Sequence, residues 1–411
     1  MKWLIRITSI VIPVLGWAVF VFLASLEGLW LEPIASDNDG FDRYVASRLE
    51  NNFPGSAAVA LIKDGKIEFQ QFKTAKLASN DDDIVDENTV FPLASLSKLI
   101  TAIAIHKLAS DGYFSLDDPI EKYLSTWRLP ETGFDNKQVT IAMLLSHTSG
   151  LTDGLGFGDY GREEALPTTL ESLLAPRASK ENKVIEVGVQ PGTEFLYSGG
   201  GYLILELLVE EITNQPFELW VKANVLDPAG MVGSSYGYLG AIENNSGSIT
   251  TDGARAEVFQ YASSAATALN ANIIDLASLI AYLQQSMTDV SPLTQPTAEM
   301  MGAYIWGQGS MLYAPLEGSV YIFGHDGSNS PAINTTLRIN PETGEAFIAL
   351  VTGHQSLASE LGFEWTLMQS GKPDFVYFNR AIASGMKPMA IGILIWLLLV
   401  SWFFVVRKKQ R

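Results

Sequence analysis

The chain contains no cysteine. Disulfides, thiolate catalysis and cysteine-based metal sites are therefore excluded. Histidine is scarce: there are 4, namely His106, His147, His325 and His354, and no spacing among them suggests a zinc cluster. Positive charge is also short. Lys and Arg number 27 against 45 Asp and Glu, for a net charge of −18. Several of the basic residues sit at the two ends, so the stretch between them is more acidic than the whole. Such a surface repels nucleic acid and anionic headgroups, and no nucleic-acid partner is expected. The acidity itself reads as an ordinary solvated face. Internal repeats and low-complexity tracts are missing too. What is present is 411 residues, 47% of them hydrophobic, ample for a large core.

Two apolar stretches stand apart. Ile7 to Leu26 is uncharged and of spanning length. Lys2 and Arg6 precede it; Glu27, Glu32, Asp37 and Asp39 follow. Met389 to Val406 is the second, and Arg407-Lys408-Lys409-Gln410-Arg411 directly follows it. Lysine and arginine stay on the cytoplasmic side, which puts both termini inside and everything between outside. A cleaved signal peptide is the alternative for the first stretch. Its apolar core is long for that, and the small-residue site after Ala24 has Phe22 where a small residue is wanted. An uncleaved anchor is expected. For the second, the terminal basic cluster argues against a buried core helix. The expected organisation is a cytoplasmic tail and transmembrane helix over 1–30, a tether over 31–40 and a globular domain over 41–370. A juxtamembrane segment over 371–388, a transmembrane helix over 389–406 and a basic tail over 407–411 follow. The protein would be embedded by two helices in a bacterial cytoplasmic membrane, its domain on the periplasmic or extracellular side. Asp374 to Ile382 combines aromatics with Arg380. It either lies at the membrane interface or packs against the domain.

Within the domain, Ala57 to Phe72 reads as a hairpin around Asp64-Gly65, a strong tight-turn signal. A helix follows Pro92, and Asp111-Gly112 ends it. Thr140 to Leu145 begins another apolar helix, and 153–190 reads as loops and short helices. Tyr202 to Ile212, Ala271 to Gln285 and Ser356 to Gln369 read as helices. Ser319 to Phe323, Asn334 to Ile339 and Ala346 to Thr352 read as strands, the last two joined by a turn at 340–344. Strands at both ends with helices between predict an α/β (α+β) fold: one antiparallel sheet flanked by helices, with a helical lobe inserted.

Ser95-Leu96-Ser97-Lys98 is the most informative stretch. From Leu96 to Ile105 the run is apolar on nearly every side, the mark of a buried helix. A lysine there costs several kcal/mol unless it is paired or shifts its pKa. Ser95 supplies a reason for Lys98. Positions i and i+3 share a helix face, and long side chains point back toward the helix N-terminus. The Lys98 amine can therefore reach the Ser95 hydroxyl, which is the geometry of an activated serine nucleophile.

Further blocks carry a resemblance. Leu144-Leu145-Ser146-His147-Thr148-Ser149-Gly150-Leu151, Pro191 to Tyr202 with its Tyr197-Ser198-Gly199, Asp227-Pro228-Ala229-Gly230-Met231 and Gly324-His325-Asp326-Gly327 follow the Ser-x-x-Lys motif in order. Together they resemble the serine beta-lactamase and penicillin-binding-protein superfamily, within it the branch of class C-like beta-lactamases, D-alanyl carboxypeptidases and esterases. The resemblance spans about residues 50 to 365. It implies a beta-lactamase-like fold and an acyl-enzyme mechanism that needs no metal or organic cofactor. Ser95 would be the nucleophile, and Lys98 and Tyr197 would together take its proton. His325 stands at the lysine-or-histidine position of the third motif. The backbone N–H groups of Ser95 and Ser328 would form the oxyanion hole, Gly327 would allow close approach, and Ser198 and Gly199 would lie on the substrate side. Two departures matter. Gly199 stands where the family often has Asn, and His325 leaves no permanent cation for a substrate carboxylate. Both favour an ester or peptide substrate over efficient beta-lactam hydrolysis. His106, His147 and His354 read as structural. The alternative is a non-catalytic subunit or scaffold of a membrane complex that kept the fold, its partner unknown; the retained Ser95, Lys98 and Tyr197 argue against it.

Overall fold

The computed structural model describes residues 2–51, 53–75, 84–155, 158–174, 184–285, 291–300, 303–376 and 378–409. Asp64 and Gly65 both take positive φ, 50° and 69°, and this is the backbone that a two-residue hairpin turn requires. Strands β1 (Ser56–Lys63) and β2 (Lys66–Lys73) leave that turn. Six more strands come from the last third of the chain: β3 (Ala298–Met300), β4 (Ala303–Trp306), β5 (Met311–Pro315), β6 (Tyr321–Asn329), β7 (Ile333–Ile339) and β8 (Ala346–Thr352). They form one antiparallel sheet in the order β2-β1-β8-β7-β6-β5-β4-β3. The two ends of the domain thus meet at β1 and β8, where Ser56 faces Thr352 and Ile62 faces Ala346.

Both faces of this sheet are covered, so its central strands are buried at almost every position. Alternation sends Ala58, Ala60, Ile62, Phe323, Leu337 and Leu350 into the core shared with the helical lobe. Ala57, Val59, Leu61, Ile322, Phe347 and Val351 face a second core. Two helices cover that second face, Asn38–Glu50 through Phe41, Val45 and Leu49, and Leu357–Ser370 through Leu361 and Trp365. The first of these begins inside the stretch read as a tether. Asp37 Oδ1 caps it, accepting from the Gly40 N–H at 2.7 Å.

Differences from the sequence reading have local causes. β6 runs well past Phe323, through the whole Gly324-His325-Asp326-Gly327 block. β3 to β5 are short and lie at the sheet edge, and they carry little alternation to announce them. The helix expected from Tyr202 starts at Gly199. Three glycines are poor helix formers, but Ser198 Oγ accepts from the Gly201 N–H at 2.8 Å and caps the start.

Two helices flank the domain, Lys2–Leu26 and Met386–Lys409. Among the described residues one helical stretch, Asn379–Arg407, is long and apolar enough to cross a membrane; the apolar part of the N-terminal helix, Ile10–Leu26, is shorter. The stretch after residue 371, expected to be juxtamembrane, starts by packing on the domain. Asp374 is buried, and Phe375 stacks on Tyr313 with ring centroids 6.2 Å apart. Arg380 pairs with Glu364 and lies over the Phe363 ring. Tyr377 lies outside the described residues.

Candidate active site

The turn that carries Ser95 is held from three sides. Phe91 and Pro92 pair with Ala271 and Asn270, and the Leu93 N–H donates to the Leu269 carbonyl at 2.9 Å. Thr335 Oγ1, on β7, donates to the Leu93 carbonyl at 2.8 Å. Ser97 Oγ donates to the Ala94 carbonyl at 2.7 Å and accepts from the Leu269 N–H at 3.1 Å. Ala94 sits at φ 50°, a conformation an L side chain disfavours and that persists where surroundings impose it. The result is selective exposure. Of all residues from Phe91 to His106, Ser95 alone is not fully buried.

Ser95 is the central residue of the 3-10 turn Ala94–Leu96 that leads into the helix Ser97–Ser110. Lys98 Nζ donates to Ser95 Oγ at 3.3 Å and to the Ala266 carbonyl at 2.8 Å. The Tyr197 hydroxyl also hydrogen-bonds Ser95, and Lys98 Nζ lies 5.1 Å from the Tyr197 ring centroid and 5.4 Å from that of Tyr202. Full burial pushes the Lys98 amine down to about 7, with the charge of Asp153 pulling the other way. Burial drives the Tyr197 phenol the opposite way, well above its ordinary value, despite the Ser95 hydrogen bond. Of the two groups expected to share the proton, the amine is therefore the one that changes charge near neutrality.

β6 forms the opposite wall. Gly327 faces the turn that carries Ser95 so closely that a Cβ there would lie 2.3 Å from the Leu93 carbonyl oxygen and 3.2 Å from Ala94 Cβ. Only glycine fits that approach. Ser328 follows, exposed at the mouth of the site. His325 is buried on the face it shares with Gly327. Its Nδ1 donates to the Asp326 carbonyl at 2.6 Å, so Nε2 presents a lone pair, and that nitrogen is buried without a partner. Burial and the Lys98 charge push His325 down to about 3, so it is a neutral acceptor where a cation would otherwise stand. Asp326 points to the other face of the sheet, where Tyr313, Thr336 and Arg338 bind it.

His147, at φ 57°, lies under the phenol. Its ring centroid is 4.3 Å from that of Tyr197 and 4.8 Å from that of Trp306, and Trp306 also meets His325 edge-on at 5.3 Å. His147 Nδ1 accepts from the Ser198 N–H at 3.1 Å, which fits its structural reading. Ser198 and Gly199 are engaged elsewhere than at Ser95. Ser198 Oγ donates to Asp153 Oδ1 at 2.7 Å while capping the helix, and the Gly199 N–H donates to the Gly154 carbonyl at 2.6 Å. Asp153, Trp306 and the Ala266 carbonyl also lie around Lys98 and Tyr197, and no motif marks them in the sequence. Asp153 follows the Leu144–Leu151 block by two residues, which is its one local signal.

Residues 41–364 match the family model described as Beta-lactamase. The chain belongs to the beta-lactamase family. Family members are serine hydrolases, and the sheet with its inserted helical lobe is the beta-lactamase-like fold. Penicillin-binding protein 4* of Bacillus subtilis (strain 168) is 31% identical over 147 residues, 35% of this chain and 30% of that protein. Protein flp of Staphylococcus aureus (strain N315) is 26% identical over 204 residues, 47% of this chain and 37% of that one. The chain spans about a third of the length of these curated relatives. Among solved structures, the octameric penicillin-binding protein homologue from Pyrococcus abyssi superposes with a TM-score of 0.63 at 22% identity, covering 82% of this chain and 78% of that one. A D-stereospecific amidohydrolase from Streptomyces sp. gives 0.58 at 18% identity, covering 81% and 99%. At these identities the two structures speak for the fold.

Proposed function

We propose that the protein is a membrane-anchored serine hydrolase that acts through a Ser95 acyl-enzyme on an ester, amide or D-amino-acid peptide outside the cytoplasmic membrane. One observation carries the reading: a buried amine, its pKa lowered to about 7 by burial, 3.3 Å from the one residue of its segment that is not fully buried. As Ser95 Oγ attacks the substrate carbonyl carbon, neutral Lys98 takes the hydroxyl proton, and the carbonyl π pair moves to oxygen. The backbone N–H groups of Ser95 and Ser328 receive that oxyanion. On collapse, the Lys98 ammonium returns its proton to the leaving group, with Tyr197 as relay. Water then repeats the cycle on the acyl-enzyme.

Substrate choice follows from what the site lacks. His325 is neutral and offers a lone pair, so it repels a substrate carboxylate and favours an N–H or O–H donor. Gly199 supplies no side-chain amide. Both support an ester or peptide substrate over an efficiently hydrolysed beta-lactam, and the D-stereospecific amidohydrolase among the structural neighbours is consistent with a peptide or amide.

Intact-protein mass after incubation with a fluorophosphonate, a penicillin and a D-Ala-D-Ala peptide tests this. The fluorophosphonate should add one adduct, on Ser95, and Ser95→Ala should abolish it. An adduct that persists in Ser95→Ala places the nucleophile elsewhere. Folded wild type that none of the three modifies supports the scaffold instead.

Anchoring by two helices has its own support. Trp17 Nε1 donates to the Pro388 and Met389 carbonyls, each at 3.3 Å, and Gly385 receives Val21 and Ser25. Contacts of residues 17 to 25 with 392 down to 385 make the pair antiparallel, as a membrane hairpin must be, with small residues where backbones approach. A cytoplasmic reporter fused after Arg411 should be active. Activity only from a reporter that works outside would overturn the two-span arrangement.

A further inference from the structure

We propose that Glu206 is a positioning residue for the Lys98 base: it fixes the turn at residues 263–267, and that turn's Ala266 carbonyl fixes the amine. The proposal rests on the reading of Lys98 given above.

Glu206 is buried in the middle of the Gly199–Thr213 helix. Its Oε2 accepts from the Ala265 N–H at 2.8 Å and from Ser263 Oγ at 3.2 Å. Thr169 Oγ1 donates to Oε1 at 3.0 Å. Ser263 Oγ in turn accepts from the Ala266 N–H at 3.2 Å. One carboxyl thus holds residues 263 and 265 directly and 266 through one hydroxyl. The carbonyls of the same turn point the opposite way, into the nucleophile helix. Ala265 O accepts from Thr101 Oγ1 at 2.7 Å, and Ala266 O from Lys98 Nζ at 2.8 Å. Lys98 and Thr101 are three apart and share a helix face. The turn therefore braces two helices, one carrying the base and the other starting beside Tyr197. Its far end reaches β6, where Asn329 Nδ2 donates to Thr267 Oγ1 at 2.9 Å.

The chemistry explains the residue type. Two donors of the turn and the Thr169 hydroxyl converge in a space without water access, and each needs an acceptor. A carboxyl supplies about four lone-pair directions. Burial pushes Glu206 up to about 8, with Glu218 and Glu210 adding to the effect of burial. The brace works in either protonation state: a protonated Oε1 donates to Thr169 Oγ1, whose hydroxyl rotates to accept, and Oε2 still serves the turn. Gln can do the same, its carbonyl facing Ala265 and Ser263 and its amide facing Thr169. Met has similar volume and no acceptor. The Gln and Met variants therefore separate hydrogen bonding from filling of space.

The test is saturation kinetics of Ser95 labelling by a fluorophosphonate on the full chain in detergent. Glu206→Gln should label within about threefold of wild type. Glu206→Met should lose tenfold or more in the maximal rate, since a misplacement of about 1 Å can cost about 10²-fold. The half-saturating concentration should stay unchanged, because Glu206 touches no substrate. Ser263→Ala should lose several-fold on its own, and it carries the test should Glu206→Met not fold. Wild-type speed in folded Glu206→Met, or in Ser263→Ala, overturns the proposal, and so does Glu206→Gln failing as badly as Glu206→Met. Failure to label wild type at Ser95 would instead overturn the hydrolase reading itself.

Discussion

Acylation of Ser95 should speed up about tenfold per pH unit below about pH 7 and level off above it, because the rate follows the fraction of Lys98 that is neutral. The sign follows from the burial that lowers this amine from its ordinary 10.5 to about 7. Below the folded value Lys98 is charged in both the folded and unfolded chain, and it cannot take the serine proton. Above it the folded amine is free while an unfolded lysine remains charged, so between about 7 and 10.5 the unfolded state holds the extra proton. Stability therefore rises with pH across that window. Lys98→Met should remove about 10²–10⁴ of the labelling rate, the usual size of a lost base. It should also raise the melting temperature relative to wild type more at pH 6, where wild type carries the buried charge, than at pH 9, where it does not. Labelling by fluorophosphonate across pH 5–9 and melting at the two pH values check both halves. A labelling rate flat in pH, or Lys98→Met as fast as wild type, would remove Lys98 from the mechanism.

Lys98 was legible because a charge in an apolar helical run demands an explanation and Ser95, three residues away, offered one. The same rule applies at two other places. Glu206 sits in the apolar run Tyr202 to Val209, and Arg338 between Leu337 and Ile339 on the fully buried strand Ile333–Ile339. Glu206 has no local partner, and Arg338 has locally only the Thr336 hydroxyl, 3.1 Å from its Nε. Glu206 bonds with Ser263 and Ala265, more than fifty positions away, and Arg338 with Asp374, 36 positions away. Contacts of that range appear only once the chain has folded. The Ala266 carbonyl was invisible for another reason, since every residue has one and only the backbone's direction makes it an acceptor for Lys98. Ser198 and Gly199 show the converse. Motif position put them at the substrate, whereas their polar groups are engaged with Asp153, Gly201 and Gly154. The hairpin at Asp64-Gly65 and the closing strands were legible because turn chemistry and alternation are local.

Asp374→Ala should cost the domain about 3–5 kcal/mol, the size expected when one partner of a buried ion pair is removed and the other stays. Arg338 is fully buried between the sheet and the helix Leu357–Ser370. Its guanidinium pairs with Asp374, donates to Thr366 Oγ1 at 2.9 Å and lies 3.3 Å from Asp326 Oδ2. The Tyr313 ring stacks 3.8 Å from its central carbon. Gly362 leaves room for it, as a Cβ there would lie 2.5 Å from Arg338 Nε. Without Asp374 the buried cation keeps Asp326 as its one carboxylate partner among the described ion pairs. Asp326 lies between His325 and Gly327 on β6, so the strain falls on the strand that presents the Ser328 N–H. Labelling of Ser95 should therefore slow while the variant is still folded. Replacing both partners, Arg338→Met with Asp374→Leu, should cost less than Asp374→Ala alone, because no unpaired cation remains. Denaturant unfolding of the three variants in detergent decides the matter. A double variant less stable than the single one would show that the guanidinium's other contacts, to Thr366 and Tyr313, hold this face together rather than its pairing with Asp374.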